Sequence, residues 1–270
     1  MHISSPEPSW LATQDFPQLV TRDRLARLVR KLPRARRGWI LDSDAYQHLQ
    51  RNGTWVIPAE QYAAEADRWM RRIGRLKAAA VQDWPTEDEV LAATEARIIA
   101  LRGPVRFLPD YVRAHQEWTI ESYLRLRSLA PRVPWMPVLQ GRTSGEYLRH
   151  REMWAEAGVD LAAHSLVGMG SLCKRSGSML SFFQMALVIE KLARDGIRLH
   201  GFGLKTTALE YEEARKSLVS VDSGACFYAA RRQRLRAHRD CPHPGDCRNC
   251  PRWAADWVSD LADRGRVAAA

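Results

Sequence analysis

Apolar runs of three to four residues recur along the chain, and each hands over to an acid, an amide or a glycine. Trp39-Ile40-Leu41 stops at Asp42, residues 78–81 at Gln82-Asp83, Pro137-Val138-Leu139 at Gln140-Gly141, and Ser165-Leu166-Val167 at Gly168. Residues 199–225 repeat the arrangement: a strand, a glycine-rich turn, a helix, then a strand over 218–221 that delivers Asp222 into the turn Ser223-Gly224. Helical spacing fills the intervals. Thr21 opens a basic helix in which Leu25, Leu28 and Leu32 recur, and further helices are expected over 58–73, from Thr86 onward, and over 111–129, 144–157 and 178–195. Strands alternating with helices in this way predict βα units around a parallel sheet. The expected fold class is therefore α/β, a TIM (β/α)8-type barrel, in which chemistry collects at the carboxyl ends of the strands. Seven strands can be named, the first at residues 16–20 and another over 161–167. Residues 1–15 read as an irregular lead-in, so the eighth strand has no assignment. An open doubly wound sheet is the alternative, weakened because no G-x-G-x-x-G turn follows an early strand.

Composition narrows this picture. At 270 residues and 46% hydrophobic, the chain fits one large domain better than two small ones. The division read here is a barrel over 1–232 and a Cys/His-rich segment over 233–270 packed on it. No apolar run is long enough to span a bilayer, and MHISSPEPSW lacks a basic stretch followed by an apolar one, so a cytoplasmic, membrane-free protein is expected. Lys+Arg 41 against Asp+Glu 31 leaves a net charge of +10, which suits a polyanionic partner but equally suits a generally arginine-rich composition. The run at 231–239, RRQRLRAHR, follows the Asp222 strand closely, so Arg231, Arg232, Arg234 and Arg236 are the first candidates for phosphate contacts, with the basic stretch at 22–37 second.

Five cysteines in such a chain do not suggest a disulfide framework. Cys241, Cys247 and Cys250 fall within one decapeptide as C-x5-C-x2-C, the closeness of a structural zinc knuckle, with His243 or His238 as fourth ligand. The alternative is reduced thiols packed under Trp253 and Trp257. Cys173 and Cys226 read as buried thiols.

Six of these segments also carry a resemblance. LDSDAYQ at 41–47, AAVQDW at 79–84, VLQG at 138–141, VGMGSLCKR at 167–175, LHGFGLK at 199–205 and SVDSGA at 220–225 fall in the order seen in the tRNA-guanine transglycosylase superfamily. PSWLATQDFPQLVTRDRLARL near the start and CPHPGDCRNCPRW near the end resemble its DNA-directed branch, the 7-deazapurine DNA-modification transglycosylases. The resemblance implies an enzyme that cleaves a guanine glycosidic bond, holds the sugar covalently and attaches a 7-deazaguanine base. Its implied partners are DNA rather than tRNA, the base itself and accessory DNA-modification proteins. Exchange with retention takes two displacements and hence a carboxylate nucleophile, which Asp222 matches. Asp42 matches the acid that moves protons on and off the base. Asp83 matches the acceptor for guanine N1–H and its exocyclic amine, while Gln140 with Gly141 and a backbone amide near Gly168 serve the O6 edge. Tyr46 and His200 match the pair that sandwiches the base, and Gly201 and Gly203 let the backbone approach it. His200 alone also reads as a core histidine satisfied by its neighbours.

Two departures from the family pattern bear on which base enters. Asp44-Ala45 stand where a glycine pair is usual, and Trp84-Pro85-Thr86-Glu87 where a methionine-cysteine pair often precedes the glutamate. Two further readings remain: a tRNA enzyme of the same class, and a non-catalytic, zinc-containing nucleic-acid-binding protein on a decayed barrel.

Overall fold

A computed structural model describes residues 1–4, 7–28, 31–103, 110–172, 179–205, 209, 211–236, 238, 241, 243 and 245–263. Cys173, Arg30 and Arg239 lie outside these residues.

The expected barrel is observed. Its strands are β1 (His2–Ser4), β2 (Gln18–Thr21), β3 (Trp39–Asp42), β4 (Leu76–Ala80), β5 (Trp135–Met136), β6 (Val138–Leu139), β7 (Val167–Met169), β8 (Leu199–Gly201) and β9 (Leu218–Ser223). Every pairing is parallel, in the order β5-β4-β3-β2-β1-β9-β8-β7-β6. Pro137 separates β5 from β6 and has no N–H to give a ladder. Because β5 pairs with β4 while β6 pairs with β7, the two are halves of one strand, and they bring the ends of the sheet together into an eight-stranded ring. The eighth strand is β1, inside the stretch expected to be irregular. It is held from both sides, Ile3 in register with Gln18 on β2 and His2 with Asp222 on β9.

Alternation along the strands separates two apolar layers. Leu19, Ile40, Ala78, Ala80 and Met136 form the packed barrel interior. Val20, Leu41, Ala79 and Val81 face outward to the helices, among them α4 (Ala59–Ile73), which buries Tyr62, Ala63, Ala66, Trp69 and Ile73 along one stripe. Two expectations need correction. The basic helix is short, α2 (Arg22–Ala26), although Leu28 and Leu32 still pack on the core. Residues 161–163 form a 3-10 turn rather than strand, capped where the Asp160 carboxylate accepts the Ala162 amide at 3.0 Å, and the strand runs from Val167 to Met169, past Gly168.

Two helices close the chain, α10 (Ala225–Gln233) directly after β9, and α11 (Pro251–Asp263). Ala254 and Val258 of α11 pack with Cys226 against Ile3, Trp10 and Phe16, which ties the tail to the first strand. Among the described residues, no helix is long and apolar enough to cross a membrane.

Candidate active site and metal centre

A cavity of about 310 Å³ opens at the carboxyl ends of the strands, and Asp42, Asp83, Gln140 and Asp222 all line it. The barrel's alternation explains two of them: Asp42 follows inward-facing Ile40, and Asp222 lies two residues beyond Ser220, whose Oγ meets inward-facing His200. At the end of β4 the alternation is broken. The Asp83 amide bonds back to the Val81 carbonyl at 2.8 Å, and this tight turn sends Gln82 outward to the Ile57 carbonyl and Asp83 into the cavity.

Asp222 is buried and well partnered. Ser4 Oγ donates to its Oδ2 at 2.7 Å and the Gly203 amide to its Oδ1 at 2.9 Å. His200 Nε2 lies 3.3 Å from Oδ1, close enough for an ion pair but outside hydrogen-bond geometry. Burial works to raise the carboxyl, yet His200, the Gly203 amide and Ser4 outweigh it and hold Asp222 below the ordinary aspartate range. Asp42 goes the other way. Loss of water raises it well above that range, and the charges of Asp44, Asp222 and Asp83 add to the rise. Two carboxyl groups on one cavity thus favour opposite protonation states, the separation that acid and nucleophile require.

The opposite wall carries a hydrogen-bonded chain. Asp83 Oδ1 accepts from Ser43 Oγ at 3.2 Å and Oδ2 from Gln140 Nε2 at 2.6 Å. Burial pushes the Asp83 carboxyl up to about 7 against the pull of these donors. Ser171 Oγ lies 2.9 Å from both Gln140 Oε1 and Glu87 Oε2, and its single proton serves one of them at a time. The Gln140 backbone is fixed as well, its amide donating to His150 Nδ1 at 2.8 Å and its carbonyl accepting Gln116 Nε2 at 2.7 Å.

Not every expected base contact faces this cavity. Tyr46 lines it, but His200 does not. The His200 ring is fully buried, with Nδ1 2.8 Å from Ser220 Oγ and Nε2 3.3 Å from Asp222, and the aromatic ring at the cavity on that side is Phe202, packed edge-on against His200 at 4.8 Å. Gly168 itself does not line the cavity either. Its amide is spent on the Pro137 carbonyl at 2.8 Å, and a Cβ there would meet the Phe202 ring at 2.5 Å, so this glycine makes room for Phe202. Gly141 abuts the Tyr147 amide and Gly201 packs against Leu172, Val221 and Leu218, both away from the cavity. The glycine that matters at the wall is Gly170, where a Cβ would come within 2.4 Å of Gln140 Nε2. Ser171 follows with φ of 57°, a left-handed backbone rare outside glycine and typical of functional turns. Gly170 and Ser171 stand within the quoted segment at 167–175, but no periodicity distinguishes them from Gly168.

The two departures now have a geometry. Asp44 has φ of 64°, the conformation for which glycine is the default, and its side chain lines the cavity mouth. Trp84 turns away to pack on Trp118, whereas Pro85 and Glu87 of the same loop reach the cavity.

In the tail, ligand atoms of Cys241, His243, Cys247 and Cys250 all lie within 4.8 Å of one another. Cys241 Sγ is 3.7 Å from Cys247 Sγ and 3.8 Å from Cys250 Sγ, and His243 Nε2 is 3.8 Å from Cys247 Sγ. A tetrahedron with metal–sulfur bonds of about 2.3 Å has edges of about 3.8 Å, so the donor set fits a four-coordinate metal. His238, the other candidate ligand, is paired instead with Asp256 at 2.6 Å. Cys226 is a thiol that burial pushes up to about 12, and it stands apart from this cluster. Of the expected phosphate contacts, Arg231 lines a groove beside the cavity, while Arg232, Arg234 and Arg236 are exposed and do not.

The fold and the order of its site segments define a barrel of the tRNA-guanine transglycosylase type. More narrowly, the family model described as DpdA, DeoxyPurine in DNA protein A, matches residues 1–268, and the chain belongs to that family. No curated protein matches it.

Proposed function

We propose that this protein exchanges guanine in DNA for a 7-deazaguanine base through a covalent sugar–aspartate intermediate. The observation that carries the reading is the pair Asp42 and Asp222, set on one cavity with carboxyl groups shifted in opposite directions. Ionised Asp222 attacks C1′ of the extruded deoxyguanosine as the bond from C1′ to N9 breaks, and protonated Asp42 gives its proton to the departing base. Guanine leaves and the 7-deazaguanine enters. Asp42, now a base, takes the N9 proton of the newcomer, N9 attacks C1′, and Asp222 is released, which restores both groups and retains configuration. Ionised Asp83 accepts the N1–H and exocyclic amine that both bases share, Gln140 Nε2 serves the O6 edge, and Tyr46 and Phe202 offer the ring surfaces that replace stacking lost on extrusion. Cys241, His243, Cys247 and Cys250 would hold a zinc ion whose chemistry here is structural.

The choice of DNA rests on the family match. With labelled 7-cyano-7-deazaguanine, label is expected in DNA and not in tRNA, and label in tRNA alone overturns the reading.

The carboxyl shifts also set a pH profile. In the free enzyme Asp83 is up at about 7 and must be ionised to accept two donors, so kcat/KM for DNA, whose guanine binds the free enzyme, should fall as pH drops through about 7. Asp42 must carry a proton in the first step, so exchange should fall again as pH rises past its raised value. Asp222, held low, imposes no limb in between. Asp83→Asn should erase the acid limb, and a flat kcat/KM from pH 5 to 7 in the unmodified enzyme would refute the assignment.

A further inference from the structure

A second groove, of about 430 Å³, adjoins the base cavity and shares Ser4, Thr21, Asp44 and Gln47 with it. Distant parts of the chain build its walls: Arg24 and Arg27 at the end of α2, Arg51 of α3 (Ala45–Asn52), Tyr228 and Arg231 of α10, and Arg248 between two cysteines of the metal centre. Five arginines thus face two carboxylates, Asp23 and Asp44, and Asp23 is already paired with Arg22 at 3.2 Å. The Arg248 guanidinium is held in place by Asp246 through two contacts of 2.7 Å. Tyr228 is unusual for an aromatic residue in being 68% exposed, and it sits on the helix that starts three residues after Asp222. Where groove and cavity meet stands Ser4, whose hydroxyl binds Asp222, so the basic track runs up to the carboxylate that would take the sugar.

We propose that this groove holds the DNA strand flanking the extruded nucleotide, its arginines on successive phosphates and Tyr228 stacked on the base left beside the gap. The inference rests on the base-exchange reading. Extrusion leaves a neighbouring base without a stacking partner, and an aromatic platform recovers part of that cost whatever the base. Phosphate neutralisation by arginine adds affinity that weakens with salt. Arg248 and Asn249 lie inside the metal loop and Cys247 donates its amide to the Leu235 carbonyl at 2.8 Å, so the metal centre braces one wall of the track.

DNA affinity over a range of salt concentrations, measured beside labelled-base exchange on the full chain, tests this. The double variant Arg24→Ala/Arg231→Ala should flatten the dependence of log K on log salt by between about 1.4 and 1.8. Tyr228→Ala should leave that slope unchanged but lower kcat/KM for DNA roughly tenfold, and Tyr228→Phe should restore it. If unmodified enzyme exchanges base on DNA while all three variants match it, the groove assignment falls and the base-exchange reading stands. If DNA binding depends on these residues but no label is transferred, the groove stands and base exchange falls. Affinity lost for tRNA and kept for DNA also overturns the groove as a DNA track.

Discussion

Asp222→Asn is expected to abolish base exchange, by roughly 10⁴-fold or more, while leaving DNA binding and the fold intact. Asparagine has nearly the shape of aspartate, and its carbonyl oxygen still accepts the Gly203 amide, which lies 2.9 Å from Asp222 Oδ1. Its amide nitrogen takes the place of the oxygen that faces Ser4, and a serine hydroxyl accepts as readily as it donates. What is lost is the negative charge, and with it both the nucleophile and one of the charges that raise Asp42. Unmodified enzyme given DNA without an incoming base should form an adduct that survives denaturation, and the asparagine variant should form none. Exchange of labelled guanine by the variant at the unmodified rate would show that Asp222 is misassigned as the nucleophile and that another group attacks the sugar.

The places where sequence and structure part company have physical causes. Three residues, His2, Ile3 and Ser4, are too few to display a strand period, and β1 exists because two neighbouring strands pair with it, a tertiary effect that local pattern does not carry. Its contribution is large all the same, since Ser4 is an Asp222 ligand. The strand-end rule located Asp42, Asp83, Gln140 and Asp222, because a polar residue closing an apolar run is visible without any knowledge of neighbours. The rule has no resolution of one residue, however. Whether His200 or Phe202 reaches the cavity depends on inward facing shared by both and on which of them Asp222 and Ser220 engage. Whether Gly168 or Gly170 serves the wall depends on where the strand ends, which its pairing with the neighbouring strands sets at Met169. Asp44 shows the reverse: the motif comparison marks the missing glycine, and φ of 64° gives the reason glycine is usual there.

Loss of the metal should have the second largest effect. Protein purified without chelators is expected to contain about one zinc per chain, and Cys247→Ser is expected to lose it. Cys241, Cys247 and Cys250 are buried with Ala230 in a small apolar cluster, partly under Trp253, too small to order the tail without a cross-link. Three buried thiols, with Cys241 Sγ 3.7 and 3.8 Å from the other two, gain little from packing alone, whereas thiolates on one zinc gain strong bonds that exist only in the folded state. Loss of a structural metal belongs with the exceptional destabilisations of about 4 kcal/mol or more, which at this chain length lowers the melting temperature by roughly 10 °C. The damage should spread beyond the knuckle, because α11 packs on Trp10, Phe16 and Ile3, and Ile3 belongs to the strand that brings Ser4 to Asp222. Hydrogen exchange should therefore show lost protection in α10 and α11 and also at β1, with exchange activity reduced although no cavity residue was changed. Protein that contains no metal as purified, together with a Cys247→Ser variant that melts like the unmodified chain, would establish packed thiols instead.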